Sequence, residues 1–336
     1  MKKKIIIYDV AAESGGALTV LDSFYEQFCN EDNYESFFVL SKVSYPEKNN
    51  VHIIRLPWVK KSWLHRLYCD YIYMPFLISK FGIYEVLSLQ NIGIPMRNLK
   101  QTIYVHNAIP FTEHRFLLFR EPYLWTYKNI IGRMIYRSIR CSNRIIVQTE
   151  WMKKEIEKRK LIESEAIYVQ KVIFPFEGNK QNEISKIPIF FFPGTPLVFK
   201  NHAVIVRACR ELIHDGIRDF TIVFTFEAND NRISRKIAKT IARNKLPIQL
   251  LGKLDKNKMN EYYRKSILIF PSYLETVGLP LLEAQEFNMK ILAANCLYAK
   301  ESVGSYSRCD FFEFDNYKEL SLKMKRLIMK WNVYEF

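Results

Sequence analysis

The sequence is short of glycine: 11 occur in 336 residues, about 3% where soluble proteins average ~7%. It is short of acid too, with 35 Asp and Glu against 50 Lys and Arg, a formal net charge of +15 at pH 7. No run of eighteen uncharged apolar residues occurs, residues 71–79 coming nearest, so no membrane-spanning helix is expected. The six cysteines (Cys29, Cys69, Cys141, Cys209, Cys296 and Cys309) are scattered, without a Cys-x-x-Cys pair or a histidine cluster. That pattern argues against a zinc site or a disulfide framework and fits a reducing cytoplasm. The apolar stretch behind Met1-Lys-Lys-Lys is brief and broken by Asp9, so it reads as a first strand and not as a signal peptide.

What remains is an ordinary globular composition, 49% hydrophobic and 25% charged, in a chain long enough for two domains with separate cores. Short apolar runs at 5–8, 37–40, 52–56, 84–89, 102–106 and 145–148 alternate with helical stretches. After a polar stretch at 177–183 the pattern restarts with runs at 187–192, 220–226, 248–251, 267–270, 290–294 and 311–314. Alternation of this kind indicates α/β domains with parallel sheets. We expect one domain over 1–180, a second over 181–316, and a terminal amphipathic helix within 317–336 that packs back toward the first domain. Ligands of open parallel sheets bind at the carboxyl ends of the strands, which places the expected site in a cleft between the domains.

The positive charge calls for an acidic partner. Between Arg115 and Arg144 seven basic residues face one acid, Glu121, and are interleaved with Phe116, Phe119, Tyr123, Trp125 and Tyr127. Residues 58–81 repeat this mixture of basic and aromatic side chains. Such a surface suits peripheral contact with an anionic membrane; core aromatics beneath a solvated charged face are the alternative. Nucleic acid is not expected as a partner, because no recognisable nucleic-acid-binding signature accompanies the charge.

Candidate chemistry gathers where the run at 267–270 gives way to a helix. Glu275 and Glu283 lie eight apart in Phe-Pro-Ser-Tyr-Leu-Glu-Thr-Val-Gly-Leu-Pro-Leu-Leu-Glu, 270–283. Pro280 suits a first helical turn, so the amides of Thr276, Val277 and Gly278 are expected at a helix N-terminus able to hold a phosphate or sugar hydroxyls. Acids near a helix start also simply offset its dipole. Gly15-Gly16 forms a strand-to-helix turn in a glycine-poor chain, through close approach to a phosphate or as a tight turn alone. His106 ends a strand at the same sheet edge, where a histidine either contacts a ligand or is satisfied structurally. Lys200, between a Pro-Gly loop and the helix beginning near His202, can neutralise a diphosphate or be a solvated lysine.

Taken together these segments resemble family-4 retaining glycosyltransferases of the GT-B fold, whose Glu-x7-Glu motif matches 275–283. The resemblance spans most of the chain and is densest over 187–305. It implies two Rossmann-like domains, a nucleotide-diphosphate sugar as co-substrate with no resident cofactor or metal, and a hydroxyl of a glycan or lipid-linked oligosaccharide as acceptor in surface-polysaccharide biosynthesis. It further implies that Glu275 positions the sugar, Glu283 holds the ribose diol, Lys200 and Gly16 attend the diphosphate, and His106 contacts sugar or acceptor. The family usually places an arginine where this chain has Thr195, which removes one expected phosphate contact. A sugar-nucleotide 2-epimerase of the same architecture and a non-catalytic basic binding module are the rival readings.

Overall fold

The computed structural model describes residues 2–13, 15–96, 98–171 and 185–331. It divides into two compact units, Met1–Val172 and Ile173–Phe336. The expected boundary at residue 180 lies outside the described residues.

In the first unit seven strands form one sheet: Lys3–Asp9 (β1), Tyr34–Leu40 (β2), Val51–Arg55 (β3), Glu85–Ser88 (β4), Lys100–Val105 (β5), Arg144–Val147 (β6) and Ile167–Val169 (β7). Their order is β3-β2-β1-β4-β5-β6-β7, and every pairing is parallel. β1 shows why an unbroken apolar run becomes a central strand. Side chains alternate across the pleat, so Ile6 and Tyr8 join a core with Met74, Leu77 and Ile78, while Ile5 and Ile7 join another with Leu21, Phe24 and Phe28. A strand covered on both faces needs apolar residues at every position. β7 was not among the expected runs.

The second unit has six strands: Ile189–Phe192 (β8), Thr221–Phe224 (β9), Ile248–Leu250 (β10), Ile267–Phe270 (β11), Ile291–Ala294 (β12) and Cys309–Phe312 (β13). Their order is β10-β9-β8-β11-β12-β13, again all parallel. Within each unit the first strand lies in the middle, and the second and fourth flank it. That is the doubly wound order in which the chain reverses direction of travel across the sheet beside its first strand. The reversal leaves adjacent loops diverging to opposite faces, between β1 and β4 in one unit and between β8 and β11 in the other.

The last helix, Tyr317–Lys330, packs on the helix His202–His214 of its own unit. Lys325 Nζ lies 3.0 Å from Asp215 Oδ2, and Trp331 Nε1 donates to the Ser185 carbonyl at 2.9 Å. Residues 332–336 of the expected terminal segment lie outside the described residues. No helix among the described residues is long and apolar enough to cross a membrane.

Candidate donor-binding site

Two loops leave the second sheet at its reversal point, one after β8 and one after β11. The β8 loop begins with Gly194, whose amide donates to Thr225 Oγ1 at 3.0 Å, and ends at Lys200. Asn201 follows in the left-handed region at φ 56°; its amide nitrogen reaches the carbonyls of Phe314 (2.6 Å) and Pro271 (3.4 Å). Asparagine tolerates this conformation at little cost, and the turn aims the Lys200 stem back over the sheet. The ammonium lies 5.9 Å from the ring centroids of both Phe199 and Phe270.

From the β11 loop Glu275 meets it. Lys200 Nζ donates to Glu275 Oε1 at 2.6 Å, and both side chains retain about a sixth of their exposure, 17% and 16%. The buried Ser272 hydroxyl donates to the same oxygen at 2.7 Å. Ser272 is held in turn by Tyr298, whose hydroxyl donates to its carbonyl, and Tyr273 N donates to the Phe199 carbonyl at 3.0 Å, tying the loops together. One carboxylate oxygen thus accepts from both the ammonium and the hydroxyl. Among the described residues, Glu275 Oε2 and two of the three ammonium protons have no hydrogen-bond partner and remain for a ligand.

The β11 loop ends at Gly278, which precedes the helix Leu279–Glu286. Its φ is +77°, and a Cβ there would sit 3.0 Å from Phe270 Cε1 and 3.1 Å from Tyr298 Cε2. Glycine is required twice over, by backbone and by packing. The helix has no side-chain cap and no acid in its first turn. Gly278 is the cap, so Thr276 and Val277 lie in the loop that precedes the helix; Leu281 N is bonded to the Gly278 carbonyl, and the Val277 carbonyl accepts from Ser302 Oγ at 2.5 Å. Pro280 stands in the first turn as expected.

Glu283 lies one turn inside. Its Oε2 accepts a short hydrogen bond from Tyr263, a buried tyrosine of the helix Lys256–Lys265. Burial raises the Glu283 carboxyl above its ordinary value, opposed by that hydroxyl. Among the described residues Tyr263 is its hydrogen-bond partner; a ribose would have to use the other oxygen or displace the tyrosine. Ser272 stands within the 270–283 segment, three positions before Glu275, whereas Tyr263 and Tyr298 reach their partners across sequence separations of 20 and 26, which local patterns do not announce.

His202 also escaped notice. It is fully buried at the helix start, its ring 4.5 Å from that of Phe192 and 5.0 Å from those of Phe224 and Phe226. Burial lowers its pKa to about 3, so it packs beneath the Lys200 loop as a neutral ring.

The first unit places its candidates at its own sheet edge. Gly15, before the helix Gly16–Cys29, has φ 65° and ψ −153°, a region open essentially to glycine alone; that helix has no side-chain cap. At the end of β1 Asp9 Oδ1 accepts from Ala11 N and Ala12 N at 3.1 and 3.0 Å, and burial pushes its carboxyl up to about 6. His106 follows β5. Its backbone amide donates to Asn91 Oδ1 at 2.8 Å, and Asn91 Nδ2 lies 3.3 Å from Nε2. Because that nitrogen accepts, the proton is assigned to Nδ1, which is buried without a partner. Burial lowers the His106 pKa to about 4, so a neutral ring presents one unused donor. Asn91, held at φ 67°, is a supporting residue that nothing in the local sequence announces.

Residues 175–335 match the family model described as Glycosyl transferases group 1. No curated protein matches the sequence. Among solved structures the chain is similar to sucrose-phosphate synthase from Thermosynechococcus elongatus, with a TM-score of 0.72 and 13% identity over 99% of this chain and 91% of that one. It is similar to WaaG, a glycosyltransferase involved in lipopolysaccharide biosynthesis, with 0.70 and 12% over 98% and 92%. It is also similar to HepE from Anabaena in complex with UDP, with 0.66 and 12% over 98% and 90%. The chain has the fold of the GT-B glycosyltransferases, two Rossmann-like domains, and its second half carries a Glycosyl transferases group 1 domain.

Proposed function

We propose that the protein is a retaining glycosyltransferase that moves a sugar from a nucleotide-diphosphate donor to a hydroxyl of a glycan acceptor, itself lipid-linked and part of a surface polysaccharide. The observation that carries this reading is the Lys200, Glu275 and Ser272 cluster at the reversal point of the second sheet, beside a helix start without a side-chain cap. In the reaction the bond between the anomeric carbon and the diphosphate oxygen breaks, and the electron pair leaves with the phosphate. The acceptor oxygen bonds to that carbon from the same face, and its proton passes to the departing phosphate oxygen. Lys200 neutralises the growing negative charge as a point charge, aided by the amides at Gly278 and at the Gly16 turn. Glu275, anchored through Oε1, turns Oε2 to the sugar and to the positive charge that develops on it.

In this reading Glu283 takes the ribose diol and His106 contacts the sugar or acceptor. No step calls on a metal. Screening a panel of nucleotide sugars for donor hydrolysis and for transfer tests the reading. Hydrolysis that falls in Glu275→Ala and donor affinity that falls in Lys200→Ala and Glu283→Ala support it; unchanged kinetics in all three variants contradict it.

Peripheral membrane contact at the cytoplasmic face belongs to the same proposal. Trp63, Leu64, Tyr71, Ile72 and Phe76 of the first unit are exposed, and Phe119 keeps 96% of its surface. Lys61 and Lys80 are exposed among the first group, while Lys60 pairs with Glu13 and Arg66 with Asp70; exposed aromatics beside basic residues are the mixture that binds an anionic interface. Cosedimentation with anionic vesicles should be salt-sensitive; no binding at low salt would remove this part.

A further inference from the structure

We propose that the groove between the helices His202–His214 and Arg232–Asn244 is a binding site for a linear polyanion of phosphate groups that carries no aromatic bases, such as a phosphodiester-linked glycan or polyol chain. The groove has a volume of about 670 Å³ and is lined by Arg210, Arg232, Arg235, Lys236, Lys239 and Arg243 with a threonine and an asparagine, and by no acid. All six cations are exposed. None of them has an ion-pair partner among the described residues, although twelve pairs of Lys or Arg with a carboxylate are formed elsewhere among those residues. Mutual repulsion of six unpaired cations is a standing cost that an anion would relieve.

Their arrangement selects the kind of anion. Positions 232, 235/236, 239 and 243 recur at helical spacing, so the stripe runs about 16 Å along the helix. A single phosphate cannot reach both ends. The face opposite the stripe is buried at Ser234 and Ile237, and Asn231 and Ser234 close a capping box at the helix start, so the stripe sits on a fixed element. A membrane-binding helix would present large apolar side chains beside its charges, and a single-stranded nucleic-acid site would present aromatic platforms. The lining contains neither. One end also meets the candidate donor site: Asn231 Nδ2 donates to the Pro196 carbonyl at 2.8 Å, which joins the start of the stripe to the loop that carries Lys200. A chain seated along the groove is directed at that loop.

The test is binding of a medium-length inorganic polyphosphate to the full chain, followed by fluorescence anisotropy across a salt series. The wild type should bind with affinity falling as salt rises, and the triple variant R235Q/K239Q/R243Q should lose about tenfold or more, with a log–log salt slope shallower by about 2. The charge-conserving R235K/K239R/R243K should keep both affinity and slope. Nucleoside diphosphate binding measured in the same variants reports an intact fold. Loss of polyphosphate binding with nucleotide binding retained supports the groove; nucleotide binding absent from the wild type removes the donor site and leaves the groove standing. Equal polyphosphate affinity in the wild type and the Gln variant overturns the proposal. So does displacement by orthophosphate at equal phosphate concentration. Tighter binding of phosphatidylglycerol vesicles or of a single-stranded oligonucleotide through the same three residues would assign the groove to a membrane or to nucleic acid.

Discussion

Lys200 and Glu275 meet at 2.6 Å across the point where the second sheet reverses its direction of travel, one side chain from the loop after β8 and the other from the loop after β11. The strands beneath them are neighbours, with Leu268 of β11 opposite Phe191 of β8. Neither side chain is fully buried, so the pair is strong enough to order the loops and open enough to admit a ligand. Breaking it by Lys200→Ala or Glu275→Ala should cost about 1.5–3 kcal/mol in the free protein, the range for charged hydrogen bonds. A double-mutant cycle on unfolding should show coupling of about 1 kcal/mol; additive single effects would mean that the ion pair does not form in solution.

Gly278→Ala should be more damaging than its size suggests. The left-handed backbone costs about 1–2 kcal/mol for any residue with a Cβ, and the added methyl meets two rings, of Phe270 and Tyr298, that are themselves buried. A loss of about 2–4 kcal/mol is expected when the overpacking cost is included, read as a lower denaturant midpoint with unchanged slope. A variant as stable as the wild type would contradict the described turn.

Asp9 supplies a pH signature. Its pKa in the folded protein, about 6, stands above the ordinary 3.8, so the contribution is fully present below the unfolded value and is lost as pH rises from about 4 through about 6. The amount is on the order of 3 kcal/mol at full titration. His106 works in the opposite sense: its lowered pKa, about 4, removes stability as pH falls from about 6.5 through about 4. Asp9→Asn keeps the acceptor for Ala11 N and Ala12 N but not the charge. Its stability relative to wild type should therefore rise between pH 4 and pH 6, as followed by thermal unfolding; a constant difference would show that Asp9 does not titrate there.

Tyr263→Phe isolates the support of Glu283. Without the hydroxyl a carboxylate already raised by burial loses the partner that lowers it, so its pKa should climb further and the protein should lose about 1–3 kcal/mol at neutral pH. On the proposed role of Glu283, removing this partner frees the carboxylate for ribose, so nucleotide affinity should hold or improve relative to the wild type. Nucleotide affinity that falls together with stability would mean that Tyr263 positions Glu283 for the nucleotide and does not compete with it.

Much of the fold was legible because buried parallel strands leave a plain trace. Phe190, Phe191 and Phe192 of β8 are completely buried, and a run of three aromatics cannot be solvated. β7 was missed because three residues, one of them the exposed Tyr168, leave no run to see. Lys200, Glu275 and Gly278 were visible as local punctuation at strand ends. Their supports were not: Asn91 holds His106 from fifteen residues away, and Tyr298 holds Ser272 from twenty-six. Such contacts follow from strand order, which local sequence does not encode. The basic stripe on Arg232–Asn244 was likewise absorbed into the net charge, since it becomes a groove only when Arg210 is brought beside it.

Lys200 is proposed to receive the nucleotide diphosphate. Calorimetric titration of wild type and Lys200→Ala with uridine, guanosine and adenosine diphosphates, each beside its nucleoside, tests it directly. One diphosphate should bind the wild type well above its nucleoside, and Lys200→Ala should weaken the diphosphate by about tenfold or more while leaving the nucleoside unchanged. Equal diphosphate affinity in the two proteins would contradict it.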